Sequence, residues 1–167
     1  MSGVGDLVGH RLGLGEDAHR LETGRQLVLG TVAIGESRRG AVAHSDGDVL
    51  LHAVSDALLS AFALGDIGDL FPPGEETTVG LASTVILETA RARIAAQAGA
   101  FTVVNVVAVV TLDEPKLAGY RDEVRTRLAA LLKIPAQRVG VTFKTSEGLA
   151  PDHVQARAMV LLAVGGG

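Results

Sequence analysis

The chain contains no cysteine and no tryptophan. Disulfides and thiolate metal sites are therefore excluded, and any transition-metal site must draw on His, Asp or Glu. Four Phe and one Tyr are the whole aromatic complement, too few for a surface of stacking platforms for single-stranded nucleic acid. Long basic runs are absent and the formal net charge is -4 at pH 7. That is the wrong sign for a protein that neutralises a phosphate backbone, so no nucleic-acid partner is expected. No apolar stretch reaches the ~18 residues of a membrane span. The longest, around Val103 to Leu112, reads as a strand. The N-terminus shows no basic segment followed by an apolar run, so no secretory signal and no membrane contact are expected. The expectation is a cytoplasmic protein.

What is present suits one compact domain. Of 167 residues, 47% are hydrophobic, mostly Ala, Val and Leu, enough to build a sizeable core. Residues 1–9 are Gly-rich and read as a flexible N-terminus, and 10–164 as a single domain. A strand is expected from Arg11 through Asp17 and His19, and a second from Leu27 to Ile34. The stretch Glu36 to Gly40 is polar and turn-like. Asp48 offers an N-cap for a helix from Val49 to Leu64, with Gly65 as its stop. That helix is apolar nearly all round except for a stripe of His52, Ser55, Asp56 and Ser60, which has to pair with something. Gly65 to Glu76 reads as a loop containing Pro72-Pro73. A helix over Leu81 to Gln97 would turn Leu81, Val85, Ile94 and Ala98 inward and Glu88, Arg91 and Arg93 outward. A strand from Phe101 to Leu112, a helix from Leu117 to Lys133, and strands over Val139–Thr145 and Val154–Val164 complete the pattern.

This order predicts an α+β fold, an α/β sandwich with a mixed β-sheet packed on one face by about three helices. The strand from Phe101 is apolar on both faces and needs a second cover, for which another copy of the chain is a candidate.

Residues two apart on a strand share a face, so Asp17-x-His19 presents a carboxylate and an imidazole side by side. His52 can supply a third ligand. Two His and one carboxylate suit zinc and leave a tetrahedral position open. Asp56, one turn after His52, is a candidate acceptor for the second ring N–H of a ligating His. Against this, an isolated Asp-x-His is common, and a lone buried His is ordinary. The run from Ala43 to Val49 is the densest polar stretch. It is either a plain loop ending in a helix cap or a loop whose His44 and Ser45 face a ligand beside the metal. Asp66 to Asp69 is either an acidic turn or a hydrogen-bonding site for ligand hydroxyls. Thr145-Ser146-Glu147-Gly148 can hold a phosphate and a divalent cation. Lys116, by itself, reads as a solvated side chain.

Taken in order, these pieces resemble one family. Gly15-Glu16-Asp17-Ala18-His19 is similar to its Gly-x-Asp-x-His. Ala43 to Asp56, AHSDGDVLLHAVSD, is similar to its signature, and ALLSAFALGDIG (Ala57 to Gly68), Phe71-Pro72, Pro115-Lys116-Leu117 and Thr145 to Leu149 follow in the expected order. The family is that of 2-C-methyl-D-erythritol 2,4-cyclodiphosphate synthase, of the non-mevalonate isoprenoid pathway. The resemblance implies a phosphorus–oxygen lyase that cyclises 4-diphosphocytidyl-2-C-methyl-D-erythritol 2-phosphate and releases CMP. It implies a homotrimer whose sheets face each other, with active sites between subunits. It implies Zn2+ on Asp17, His19 and His52, and Mg2+ or Mn2+ held with help from Glu147. His44 and Thr145 would stabilise the transition state. Ser45, Asp66, Gly68 and Phe71, with Leu112, Pro115, Lys116, Lys144 and Ser146, would bind substrate.

The chain also departs from the family pattern. Lys144 stands where a Thr is usual, Pro73 where an Asp is usual, and Ala82-Ser83 where Asp-Ser is usual. In place of Gly-Phe-Thr-Gly-Arg-Gly-Glu-Gly stands a shorter Ala150-Pro151-Asp152-His153-Val154. Two other readings follow: a non-catalytic trimeric homologue binding a phosphorylated or isoprenoid ligand, and a metal phosphohydrolase with another substrate.

Overall fold

A computed structural model describes residues 9–72 and 79–165. The expected flexible N-terminus lies almost wholly outside the described residues, as do Pro73 and the last part of the 65–76 loop.

The first strand, β1 (His10–Thr23), is long. Its odd-numbered residues Gly13, Gly15, Asp17, His19 and Leu21 face inward, while Leu12, Leu14 and Glu16 face out. β1 pairs antiparallel with β7 (His153–Val164), aligning Asp17 with Ala156 and His19 with Val154. β7 pairs antiparallel with β5 (Phe101–Thr111), and β5 runs parallel to β6 (Val139–Lys144). With β4 (Arg39–Ala41) at the far edge, the sheet order is β4-β1-β7-β5-β6. The sheet is mixed, as expected.

Two of the three longer helices cover its inner face. α1 (Val49–Ser60) packs on β1 and β7, and α4 (Arg121–Leu132) packs on β6. α3 (Ser83–Ala98) packs on α1 instead of on the sheet. A single turn, α2 (Ile67–Leu70), lies in the connection that the sequence presents as plain loop. Its N-terminus is closed by a reciprocal capping box between Asp66 and Asp69. One apolar core unites these layers, from Leu50, Leu51 and Leu58 on α1 to Val106, Val160 and Leu128.

Four local expectations are corrected. The segment 27–34 is two short strands, β2 (Val28–Leu29) and β3 (Val32–Ala33), around a turn in which Gly30 and Thr31 both have positive φ. This two-residue hairpin is held from outside: the buried Asp48 carboxylate accepts from Gly30 N at 2.9 Å and Thr31 N at 2.7 Å. Asp48 also accepts from Leu51 N at 3.1 Å, so it caps α1 as expected. α1 ends at Ser60 and not at Leu64, because the chain already turns at Ala63 (φ 55°), before Gly65. On α3 the inward residues are Ile86, Leu87, Ala90 and Ile94, while Val85 is 46% exposed. Ala90 is fully buried on that face of α3, the helix that packs on α1. The segment from Leu117 to Lys133 begins as a 3-10 turn, Ala118–Tyr120, before α4.

The outer face of the sheet carries Leu12, Leu14, Val107, Val109 and Met159, each at least 40% exposed. Burial of both faces, as the pattern of β5 demands, is therefore not met within one chain. Among the described residues, no helix is long and apolar enough to cross a membrane.

Candidate metal centre and its pocket

Contact between β1 and α1 builds the site. Gly13 and Gly15 have no side chains to hold the helix off, and α1 presents Ala53, Ala57 and Ala61 to them. A Cβ on Gly15 would lie 2.1 Å from Ala53 O, and one on Gly13 1.8 Å from Ala57 O. Strand and helix therefore meet backbone to backbone. One step further along the same strand face, Asp17 and His19 meet His52 of α1.

The polar stripe of α1 is fully paired. Ser60 Oγ donates to Leu14 O at 2.8 Å and accepts from Leu14 N at 3.0 Å. Ser55 Oγ donates to Leu51 O. Asp56 accepts from Ile67 N at 2.8 Å, which ties α2 to α1. His52 Nδ1 lies 2.8 Å from Asp17 Oδ2, and His19 Nε2 lies 2.8 Å from the same oxygen. The two ring nitrogens are 3.4 Å apart.

These three donor atoms can hold a metal ion together. A four-coordinate ion with ligand bonds of about 2.0–2.2 Å spaces its donors roughly 3.3–3.6 Å apart. The cluster needs only about half an ångström of opening to accept one. Burial alone would raise the Asp17 pKa, but hydrogen bonds and charge attraction from His19 and His52 outweigh it and hold the carboxyl well below its ordinary range. An ionised carboxylate beside two imidazoles is the donor set a divalent cation requires.

The second nitrogen of His52 does not reach Asp56, contrary to the sequence expectation. Asp56 is committed to Ile67, and His52 Nε2 instead faces Ser83 Oγ at 2.9 Å and Ser45 Oγ at 3.1 Å.

The triad opens into a pocket of about 380 Å3, lined also by His44, Ser45, Gly68, Phe71, Leu81 and Ile86. Asp66 does not line it; its side chain caps α2 through Asp69 N at 3.1 Å.

The other expected site residues gather elsewhere. Lys116, Thr145 and Glu147 line a second pocket, of about 370 Å3, with Arg39, Asp113, Glu114, Gly148 and Pro151. Pro115 and Lys116 border an adjoining one with Glu36, Ser37 and Arg38. Ser146 faces neither: its N–H and hydroxyl donate to the two oxygens of Asp113, at 2.5 and 2.8 Å. Gly148 N adds a third bond to Asp113 at 3.2 Å. These bonds pull the Asp113 pKa down. They also hold the tight loop in which Glu147 takes a positive φ of 56° and accepts from Thr145 Oγ1 at 2.7 Å. Leu112 is buried in the core, with its N–H donated to Lys144 O. Lys144 is exposed at the end of β6. The altered segment after Leu149 is pinned: Arg39 Nη1 bonds Asp152 at 2.5 Å, Arg39 Nη2 donates to Pro151 O at 2.8 Å, and Leu21 N donates to Asp152 O.

A model of the YgbB family matches residues 10–163 of this chain. A 2-C-methyl-D-erythritol 2,4-cyclodiphosphate synthase of Thermus thermophilus is 53% identical over 152 residues, covering 91% of this chain and 98% of its own length. The enzyme of the same name from Deinococcus radiodurans is 55% identical, covering 91% of this chain and 93% of its own length.

The chain belongs to the YgbB family of 2-C-methyl-D-erythritol 2,4-cyclodiphosphate synthases.

A solved structure of such a synthase overlays with a TM-score of 0.84 at 52% identity, covering 91% of this chain and 99% of that one. A CDP-bound form overlays with a TM-score of 0.83 at 51% identity, with the same coverage of each chain. The α+β architecture expected from the sequence is thus that of the synthase family.

Sequence reasoning missed Ser83, Asp46, Arg39 and Asp113. Ser83 and Arg39 lie far along the chain from the residues they serve, and nothing local marks them. Asp113 did carry a signal: an Asp directly after an apolar strand, facing a Thr-Ser-Glu-Gly turn at the end of the neighbouring one.

Proposed function

We propose that this protein cyclises 4-diphosphocytidyl-2-C-methyl-D-erythritol 2-phosphate to 2-C-methyl-D-erythritol 2,4-cyclodiphosphate with release of CMP, in the cytoplasm. The observation that carries this reading is the convergence of Asp17, His19 and His52 on one point at the floor of a pocket shared with His44, Ser45, Gly68 and Phe71. The relatives that share over half of its residues bear the name of that activity.

In the reaction, an oxygen of the 2-phosphate attacks the β-phosphorus. The bond from that phosphorus to the bridging oxygen breaks, and CMP leaves with the electron pair. Such a transfer asks the protein for alignment and charge neutralisation, not for a covalent nucleophile. Asp17, His19 and His52 would hold Zn2+, and Glu147 would help hold Mg2+ or Mn2+. Bound there, such ions act as Lewis acids on phosphate oxygens. His44 and Thr145, each at a pocket wall, would donate to the charge that develops on the transferred phosphoryl group. Ser45, Gly68 and Phe71 would orient the methylerythritol part, with Asp66 acting through the α2 backbone it caps. Leu112, Pro115, Lys116, Lys144 and Ser146 would form the nucleotide side, with Leu112 and Ser146 acting through the backbone path they fix.

The metal triad and the Thr145–Glu147 loop line different pockets of one chain. We therefore place the working site between adjacent subunits of a homotrimer, the triad of one copy facing the nucleotide pocket of the next. The exposed apolar residues Leu12, Leu14, Val107, Val109 and Met159 would supply the contact between sheets.

Phosphorus NMR tests this with the purified protein, the substrate, zinc and Mg2+ or Mn2+. The expected result is the cyclic diphosphate with equimolar CMP, lost on His52→Ala. Unchanged substrate in a folded, zinc-loaded trimer would leave a ligand-binding homologue; release of inorganic phosphate would mark a phosphohydrolase.

A further inference from the structure

The environment of His52 Nε2 determines which nitrogen of that ring is free to bind metal. Ser83, the first residue of α3, is fully buried and places Oγ 2.9 Å from Nε2. Behind it stands Asp46. One Asp46 oxygen accepts the Ser83 hydroxyl and, at 3.1 Å, Asp48 N–H. The other accepts Ser83 N–H at 2.9 Å. Everything that meets this carboxylate is a donor, and a carboxylate only accepts. The single hydroxyl proton of Ser83 is thus committed to Asp46. Ser83 Oγ must then accept, and the proton it accepts is the Nε2–H of His52. Ser45 Oγ, itself accepting Gly47 N–H at 3.1 Å, is a weaker second acceptor at 3.1 Å.

We infer that Asp46 and Ser83 are positioning residues that keep a proton on His52 Nε2, so that Nδ1, which meets Asp17 at 2.8 Å in the metal-free protein, is the nitrogen whose lone pair an incoming metal takes. The inference rests on the metal-site reading above. It assigns a role to Ser83, whose neighbour Ala82 is one of the departures from the family pattern. It also explains how α3, which carries no metal ligand, can matter to the site. The same Asp46 bond to Ser83 N–H satisfies a donor at the start of α3 that has no partner within the helix, where Ala82 offers no side-chain cap.

Asp46→Asn is a close steric match that cannot serve, because any placement of its amide sets an NH2 against one of the three donors. The full-length protein, Ser83→Ala, Ser83→Thr and Asp46→Asn would be labelled with 15N-histidine. Zinc affinity would be measured by chelator competition, and the His52 Nε2–H resonance observed in the zinc-loaded state. The expected result is a slowly exchanging Nε2–H in the unaltered protein, with zinc affinity 10–100-fold weaker and that proton unprotected in Ser83→Ala and Asp46→Asn. Ser83→Thr, which keeps the oxygen, restores both. Unaltered affinity and an unchanged Nε2–H signal in both loss variants would overturn the inference. So would weakened binding with the Nε2–H signal unchanged, which would mark a general loosening of α3. If the unaltered protein itself binds no zinc, the metal-site reading falls and the inference with it.

Discussion

Replacing Gly15 by Ala adds one methyl group where β1 and α1 touch. Its carbon would lie 2.1 Å from Ala53 O, 2.4 Å from Ala57 N and 2.9 Å from Asp56 Cβ. The first two are helix backbone and cannot rotate away. Ordinary contact starts near 3.4 Å, so strand and helix must separate by about 1.3 Å, a displacement that overpacked cores resist at a cost of about 3 kcal/mol or more. The same motion carries His52 from Asp17, stretching their 2.8 Å contact to about 4 Å. A metal site tolerates errors of only ~0.2 Å in its ligand distances. Urea unfolding of chelator-treated protein should therefore show the stability loss, and a zinc titration should show affinity falling at least 100-fold. Gly119→Ala, with nothing within 4 Å of the added carbon and no positive φ, is the control and should change neither. A Gly15→Ala protein within about 0.5 kcal/mol of the original, with its zinc affinity intact, would refute the claim that this close approach sets the site.

Three further outcomes are expected. Ala82 has the extended backbone of an N-cap (φ -69°, ψ 132°) but no side chain to cap with. Ala82→Ser, which adds an acceptor without a second charge beside Asp46, should stabilise by about 1 kcal/mol, read as a Tm rise of about 2–4 °C. Asp48→Ala removes three accepted N–H bonds at a buried position and should cost about 3 kcal/mol in denaturant unfolding. Burial pushes the Asp56 pKa up to about 6 from 3.8, against the Ile67 N–H bond and with help from the charges of Asp66 and Asp17. The folded state thus holds this proton more tightly than the unfolded one, so stability falls as pH rises from about 4 to about 6. Asp56 is partly solvated, so its share of that fall is about 1 kcal/mol after screening. In metal-free Asp56→Asn, urea midpoints measured across that window should lose this slope.

The parts of this molecule that could be read from its sequence are those where the signal is local. Asp17 and His19 share a face because a strand has a period of two, and the stripe from His52 to Ser60 had to find polar partners because the rest of α1 is apolar. The inward face of α3 was not readable, because the small Ala90 is fully buried there while Val85, the more apolar residue, is left in solvent. The Gly30-Thr31 hairpin was hidden because Thr31 takes a positive φ that its own side chain disfavours. It persists because Asp48, from a different element, bonds both turn amides. Asp56 was the natural choice for the His52 N–H by spacing, and it lost to Ser83 because Ile67 claims it first.

Three of the misses share a physical origin, and it bears on the segment from Ala150 to Val154. Each is a carboxylate of one element satisfying backbone or hydroxyl donors of another: Asp48 on the β2–β3 turn, Asp46 on α3, Asp113 on the Glu147 loop. Such bonds hold a loop's geometry from outside the loop. The segment around Pro151 and Asp152 follows the same rule with the charge reversed. Arg39 of β4 bonds its carbonyl and carboxylate, and β1 takes the Asp152 carbonyl. The short segment is therefore gripped from outside, and β7 starts in register against β1 directly after it. Arg39 and Pro151 stand in the wall of the Thr145–Glu147 pocket, whereas the metal triad lines a different one, so this segment bears on the first pocket and not on the triad.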